Sequence, residues 1–260
     1  MKITAGRGWK VAGGFTLVEL LVVMGIIGLL VALLMPAVNQ AIVAVRSAST
    51  QNVIQGLASG LEAYKADWRM YPPSSNAPTR MGVVSGKTPQ YGFACLAYYL
   101  LGPTGQGWGK PVVNSSPTGG YATATFGPYY EGETATAGSI TDALSITDAF
   151  SPPKNIFYFR YEPTEAAPYN VSDNGTADAT DPPDTNFRSQ AHLDLVGFGV
   201  KRTDASGRTR YVREDYLLIS PGPDRLYGYV KENTTTQKME AVLTPPPSAG
   251  AYCDDITNFK

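Results

Sequence analysis

From Leu20 to Val38 the chain carries no charged side chain and almost every residue is apolar. A run of that length matches the ~20 residues with which a helix crosses a ~30 Å hydrocarbon core. Beyond it the apolar positions narrow to one face. Val38, Ile42, Val45, Val53, Leu57, Leu61, Tyr64 and Trp68 recur mostly at helical spacing, and Gln40, Arg46, Gln51, Gln55, Glu62 and Lys65 mostly fall elsewhere on the wheel. The pattern predicts a membrane helix over 15–38 that continues as an amphipathic helix over 39–71, lying against a folded body of residues 72–260. From Phe15 to Trp68 such a helix measures roughly 80 Å at ~1.5 Å per residue, too long for the membrane alone. Gly25, Gly28 and Pro36 interrupt it, and Pro36 is expected to kink or loosen it. Tyr71-Pro72-Pro73 ends it, because a residue before Pro avoids the α region.

The body has shorter patterns. Residues 91–101 are apolar over about three turns at ~3.6 residues per turn and predict a second helix packed on the first, closed by Gly102-Pro103. Strands are predicted near 121–126, at 156–161, and at 193–200 and 211–220, with a turn at 204–207 between the last two. Residues 114–149 and 163–187, rich in small, polar and Pro residues, read as long surface loops. The sum is an α+β chain, one long helix laid over a small antiparallel sheet.

Composition mainly excludes. A formal net charge of −1 lacks the basic footprint of a nucleic-acid binder, so no nucleic-acid partner is expected. A single His, His192, rules out multi-His metal sites, and no strained nucleophile motif accompanies it. Two Cys exclude a four-cysteine zinc site. The stretch from Gly102 to Lys110 fails the phosphate-loop spacing, because Thr104 stands where Gly is needed and Pro111 follows Lys110. Gly197 and Gly199 lie within a predicted strand, which is no dinucleotide fingerprint. Asp173, Asp178, Asp181 and Asp184 are spaced irregularly among Pro and Thr, as in a solvated loop. No catalytic set emerges, and no enzyme is expected.

The N-terminus is the informative part. Lys2, Arg7 and Lys10 precede the apolar run with no acid among residues 1–14, which places that end in the cytoplasm and the body outside the inner membrane. A secretory signal cut near Ala37 or Ala41 is the alternative. Glu19 argues against it. A carboxylate in a membrane helix costs on the order of 2.5–3.5 kcal/mol on insertion scales and needs a partner. The first cation further along is Arg46, out of reach, so a partner in trans or one created by cutting the chain is expected.

Gly14-Phe15-Thr16-Leu17-Val18-Glu19-Leu20 resembles the type III signal of type IV pilins and type II secretion pseudopilins. The resemblance implies a leader of residues 1–14, removed by a prepilin peptidase between Gly14 and Phe15, methylation of the new N-terminal Phe15, and retention of the helix. It also implies a pilin-like fold and an assembly role for Glu19, whose carboxylate meets the freed amine of Phe15 in a neighbouring subunit. Buried together, an acid and an amine lose far less than either alone.

Residues 61–72 are similar to the helix end of the major pseudopilin, the G subunit of type II secretion, although Trp68-Arg69-Met70 stand where a small turn residue is commoner. Ser220-Pro221-Gly222-Pro223-Asp224 and Cys253-Asp254-Asp255-Ile256-Thr257-Asn258-Phe259 resemble the two ends of the calcium loop of that subunit. This implies calcium as a cofactor, with Asp224, Asp254 and Asp255 as side-chain ligands. Ca²⁺ takes ~6–8 hard oxygens at ~2.3–2.6 Å, and Gly/Pro turns expose carbonyls. The chain departs from the pattern at Arg225, where the family usually has Gly, and in the long stretch 227–252. A plain acidic turn and tail is the alternative. In an oxidising compartment Cys95 and Cys253 are expected as a disulfide worth at most ~5 kcal/mol, two free thiols being the alternative.

The resemblance thus implies a structural subunit of a type II secretion pseudopilus. Its partners would be copies of itself in a homo-oligomeric filament, minor pseudopilins, the prepilin peptidase and the inner-membrane assembly platform. A type IV pilin or minor pseudopilin serving adhesion, motility or DNA uptake, and a membrane-anchored binding protein or hydrolase using the long loops, stay open.

Overall fold

The computed structural model of the 260-residue chain describes residues 16–75, 91–102, 107–111, 121–132, 135–136, 144–163, 168–174, 193, 201–203, 209–211, 215–232, 239–241 and 253–258. Leu17–Trp68 form one helix, α1, which continues on both sides of Pro36. The expected interruption does not end it, since a single lost hydrogen bond is small beside the many retained in an apolar helix. The chain divides into two compact units, residues 1–44 and 45–260.

In the first unit the large apolar side chains are exposed, from 81% at Leu17 to 43% at Ile42. By length and composition α1 is able to cross a membrane, and this apolar end suggests membrane anchoring.

The second unit is built on a stripe of α1. Ile54, Leu57, Leu61 and Tyr64 are buried on one face. They pack with α2 (Gly92–Leu101), in which every residue but Tyr98 is buried. A helix apolar all round has to be enclosed. A Cβ at Gly60 would collide with the Tyr129 carbonyl oxygen, so glycine there lets the segment beyond residue 126 lie directly on α1. The first turn of α2 has no side-chain cap of its own. Asn174 serves instead, its Oδ1 accepting the Phe93 N–H at 2.8 Å and its Nδ2 donating to the Tyr158 carbonyl at 2.7 Å. One buried amide therefore ties α2 to the sheet.

That sheet has three antiparallel strands in the order β11–β8–β5, where β5 is Phe157–Arg160, β8 is Tyr216–Ser220 and β11 is Ile256–Thr257. Phe157 faces Ile219 and Ile256 faces Ser220 in the register. Both faces are covered. Tyr158, Tyr216 and Leu218 join α1 and α2, whereas Phe157, Phe159, Leu217 and Ile219 point into a second cluster with Tyr169, Val171, Leu193 and Tyr227. Burial on both sides is why β8 is apolar without alternation. Four hairpins complete the unit: β1 (Trp108–Pro111) with β2 (Tyr121–Phe126), β3 (Ala135–Thr136) with β4 (Leu144–Ser145), β6 (Lys201–Thr203) with β7 (Thr209–Tyr211), and β9 (Val230–Glu232) with β10 (Met239–Ala241).

The α+β architecture, with a long apolar N-terminal helix and a small antiparallel sheet, is the one predicted and is consistent with a pilin-like fold. Several details differ from expectation. Asp173, read as part of a solvated loop, is buried and accepts a hydrogen bond from the Ser74 hydroxyl. The loop read over 114–149 ends inside the core, because Ser145 and Ile146 are fully buried. The strand read over 211–220 is split between β7 and β8. Leu193 is helical rather than extended, and the rest of 193–200 lies outside the described residues, as does His192. Cys95 and Cys253, expected as a disulfide, are instead found in different clusters, Cys95 sealed in the first and Cys253 half-buried against the second.

The core is rich in phenols. Tyr158 donates to the Pro72 carbonyl and Tyr227 to the Asn155 carbonyl, each at 2.6 Å. Burial holds Tyr64, Tyr99, Tyr158 and Tyr227 above the usual tyrosine value of 10. Tyr129 is pushed up to about 12 by burial and then by its hydrogen bond to Asp67. Below pH 10 folded and unfolded chains hold these protons equally, and above it only the unfolded phenols ionise, so stability falls as pH rises past that point. Titration from about pH 9 to about pH 12 is expected to show the tyrosinate absorbance of these buried phenols appearing only together with loss of circular dichroism. Complete ionisation near pH 10 with the dichroism intact would contradict a sealed core.

Candidate functional site

Two places carry the expected chemistry. At the first, Gly14 and Phe15 lie outside the described residues, and α1 opens just beyond them. The Glu19 N–H donates to Thr16 Oγ1 at 3.2 Å. In return Glu19 Oε2 accepts from the Thr16 N–H at 3.3 Å and from its hydroxyl at 3.2 Å. This is a reciprocal capping box, in which a Thr and a Glu three residues on satisfy donors that the first turn leaves open. The macrodipole favours a carboxylate at that end as well. Glu19 thus has a partner in its own chain, a neutral one, reached through Oε2. The Thr-x-x-Glu spacing of Thr16 and Glu19 was readable in the sequence as a helix start, and it makes Thr16 part of the site.

The second place is the loop after β8. Gly222 has φ 68, and a Cβ there would strike the Asp254 carbonyl oxygen. Glycine is required both by the left-handed backbone and by the approach of the C-terminal segment. That segment is sewn to the loop by carboxylates accepting backbone N–H groups. Asp254 Oδ2 accepts from Asp224 at 3.0 Å, Asp255 Oδ2 from Gly228 at 2.9 Å, and Asp224 Oδ1 from Leu226 at 2.8 Å. The three aspartates named from the sequence are therefore brought into one network, although residues 227–252 separate them along the chain. The β9–β10 hairpin lies within that separating stretch.

The structure adds Asp148, whose side chain is fully buried. Its carboxylate accepts from the Phe150 and Lys154 N–H groups at 3.3 and 3.0 Å, from the Ser220 hydroxyl at 3.2 Å, and from Arg225 Nη1 at 3.1 and 3.2 Å. Nothing around Asp148 in the sequence announces this, because it stands at the end of a stretch of loop-like composition. Arg225 adopts φ 70, a left-handed conformation costing on the order of 1–2 kcal/mol for a residue with a Cβ. Nearby, the Tyr227 phenol is held protonated by burial and then by the charges of Asp148 and Asp255.

The side-chain donors are carboxylates, which suit a hard cation. Asp254 Oδ1 is buried and accepts no hydrogen bond, and the buried oxygens Asp224 Oδ2 and Asp255 Oδ1 belong to the same network. The carboxylates of Asp148, Asp224, Asp254 and Asp255 outnumber the Arg225 guanidinium. Among the described residues no group of three or more His, Cys, Asp or Glu side chains is placed to hold a metal ion by itself. A Ca²⁺ held here would draw on the aspartates and complete its ~6–8 oxygens from backbone carbonyls.

Residues 9–35 match the family described as the prokaryotic N-terminal methylation motif. No curated protein and no solved structure matches the chain. The matched span covers the end of the leader with Lys10, then Gly14, Phe15, Glu19 and most of the apolar run. Proteins of the pilin and pseudopilin type are structural rather than enzymatic, and the motif implies processing by a prepilin peptidase and assembly into a pilus or pseudopilus. Over residues 9–35 the chain thus carries the N-terminal signal of type IV pilin-like and pseudopilin precursors.

Proposed function

We propose that the chain is a structural subunit of a type II secretion pseudopilus, closest to the major G subunit, whose assembly drives protein export. The observation that carries this reading is the seam in which Asp254 and Asp255 accept the N–H groups of Asp224 and Gly228. It joins the two segments whose sequences resemble the ends of the calcium loop of the G subunit. The leader stays in the cytoplasm and the body stands in the periplasm, as the basic residues before the apolar run support. Prepilin peptidase cuts between Gly14 and Phe15 and methylates Phe15. Copies of the chain, minor pseudopilins and the inner-membrane assembly platform are the partners.

Filament formation follows from the exposed apolar end of α1. Side chains such as Leu17 and Leu33, 81% and 70% exposed, are covered by lipid before assembly and by neighbouring helices after it. Glu19 sets the register. In the precursor its Oε2 is engaged by Thr16, and after cleavage the Phe15 amine of an adjacent subunit supplies a cation. A misaligned neighbour leaves the acid without that cation, at a cost of about 2.5–3.5 kcal/mol. Mass spectrometry of the native N-terminal peptide is expected to find methylated Phe15 as the first residue. Glu19→Leu is expected to leave the protein membrane-bound and abolish filaments. A mature terminus beyond Val38, or filaments from the Leu variant, would refute the assembly reading.

Calcium belongs to the same reading, with Asp224, Asp254 and Asp255 as the side chains that hold it. The bound ion supplies positive charge to a seam rich in carboxylates and so closes the C-terminal segment on β8. Ca²⁺ added to the chelator-treated full chain in detergent is expected to raise Tm by roughly 5–10 °C at saturation. Asp224→Ala is expected to remove that rise. Equal melting with and without the ion would count against both the calcium site and the G-like assignment.

A further inference from the structure

The structure assigns Arg225 as a resident cation: its guanidinium, seated on the buried carboxylate of Asp148, closes the loop after β8 without any metal. The contact joins the stretch after β4, the end of β8 and the loop that receives the C-terminal segment. Asp148 alone spans the first two, through Phe150, Lys154 and Ser220, and Arg225 brings in the third. The backbone reveals what the side chain is worth. Arg225 occupies a left-handed conformation, φ 70, that glycine adopts without strain. At this position the side chain reaches a fully buried carboxylate within 3.2 Å, a contact that offsets the strain. A buried charge stripped of its partner is far costlier than the pair is valuable, so the two residues stand or fall together.

The guanidinium nitrogens Nε and Nη2 are buried and donate no hydrogen bond, so Asp148 is the acceptor that orients the group. Other carboxylates of the seam accept the N–H groups of Asp224, Leu226 and Gly228. The Arg225–Asp148 contact stands apart from them and does not depend on a calcium ion.

Thermal unfolding of the full chain in detergent and excess chelator tests it. Arg225→Gly is expected to lower Tm by roughly 5 °C or more although it relieves the backbone. Asp148→Asn is expected to lower Tm in the wild-type background and to raise it in the Arg225→Gly background, where it removes the stranded charge. Arg225→Lys, which keeps the positive charge, falls between Arg225→Gly and wild type. An Arg225→Gly chain that melts at or above the wild-type temperature, or an Asp148→Asn effect of the same sign and size in both backgrounds, overturns the assignment. If Arg225→Gly does not fold alone, folding restored by Asp148→Asn supports it, and a double variant that also fails to fold overturns it. Since every arm is run in chelator, a missing Ca²⁺ effect in wild type would remove the calcium reading and leave this one intact.

Discussion

The second unit depends on the burial of a single helical stripe. Ile54, Leu57, Leu61 and Tyr64 line one face of α1, and α2, Tyr158, Tyr216 and Leu218 pack on it. Fully burying such side chains contributes ~1.5–3 kcal/mol each. Aromatic rings extend the stripe. Tyr64 lies against Trp68, Tyr99 and Tyr129, and Trp108 against Trp68, Tyr98 and Tyr99. Such pairs add ~0.5–1.5 kcal/mol each beyond area burial and fix relative orientation. Polar groups then act as pins on an apolar assembly, as Asn174 does between α2 and β5.

The same helix carries its opposite at the other end. There the apolar side chains are exposed all round, and the charged group set among them, within the described residues, is a carboxylate. A surface of this kind is stable only where lipid or other helices replace water, which is what the methylation motif implies for it. The capping box explains how a precursor tolerates the acid. Thr16 and the helix N-terminus satisfy one oxygen of Glu19 without burying a charge pair. Cleavage after Gly14 would then add a cation where the cap already holds the acid in place.

The C-terminal seam solves a related electrostatic problem differently. Carboxylates that accept backbone N–H groups are individually favourable, yet several together repel one another. One remedy is internal, since Arg225 accepts backbone strain to reach Asp148. The other, in our reading, is a cation from the surroundings.

By itself the sequence determined whatever depends on neighbours in the chain. The apolar run, the amphipathic stripe, α2, β2 at 121–126 and the end of α1 before Pro72 are local, so periodicity and turn residues sufficed to find them. The cleavage motif was legible for the same reason, being a contiguous string with one acid at a fixed offset. Asp224, Asp254 and Asp255 were named through resemblance to a family pattern, and their meeting is a tertiary fact. Only the tertiary structure decided that Cys95 and Cys253 sit in different clusters, and that a segment of loop-like composition supplies Ile146 and Asp148 to the interior. Composition records the average environment of a segment, whereas burial is set by what packs on it from elsewhere. A charge such as Asp148 therefore looks like any solvated acid until the arginine that faces it, distant in the chain, is brought alongside.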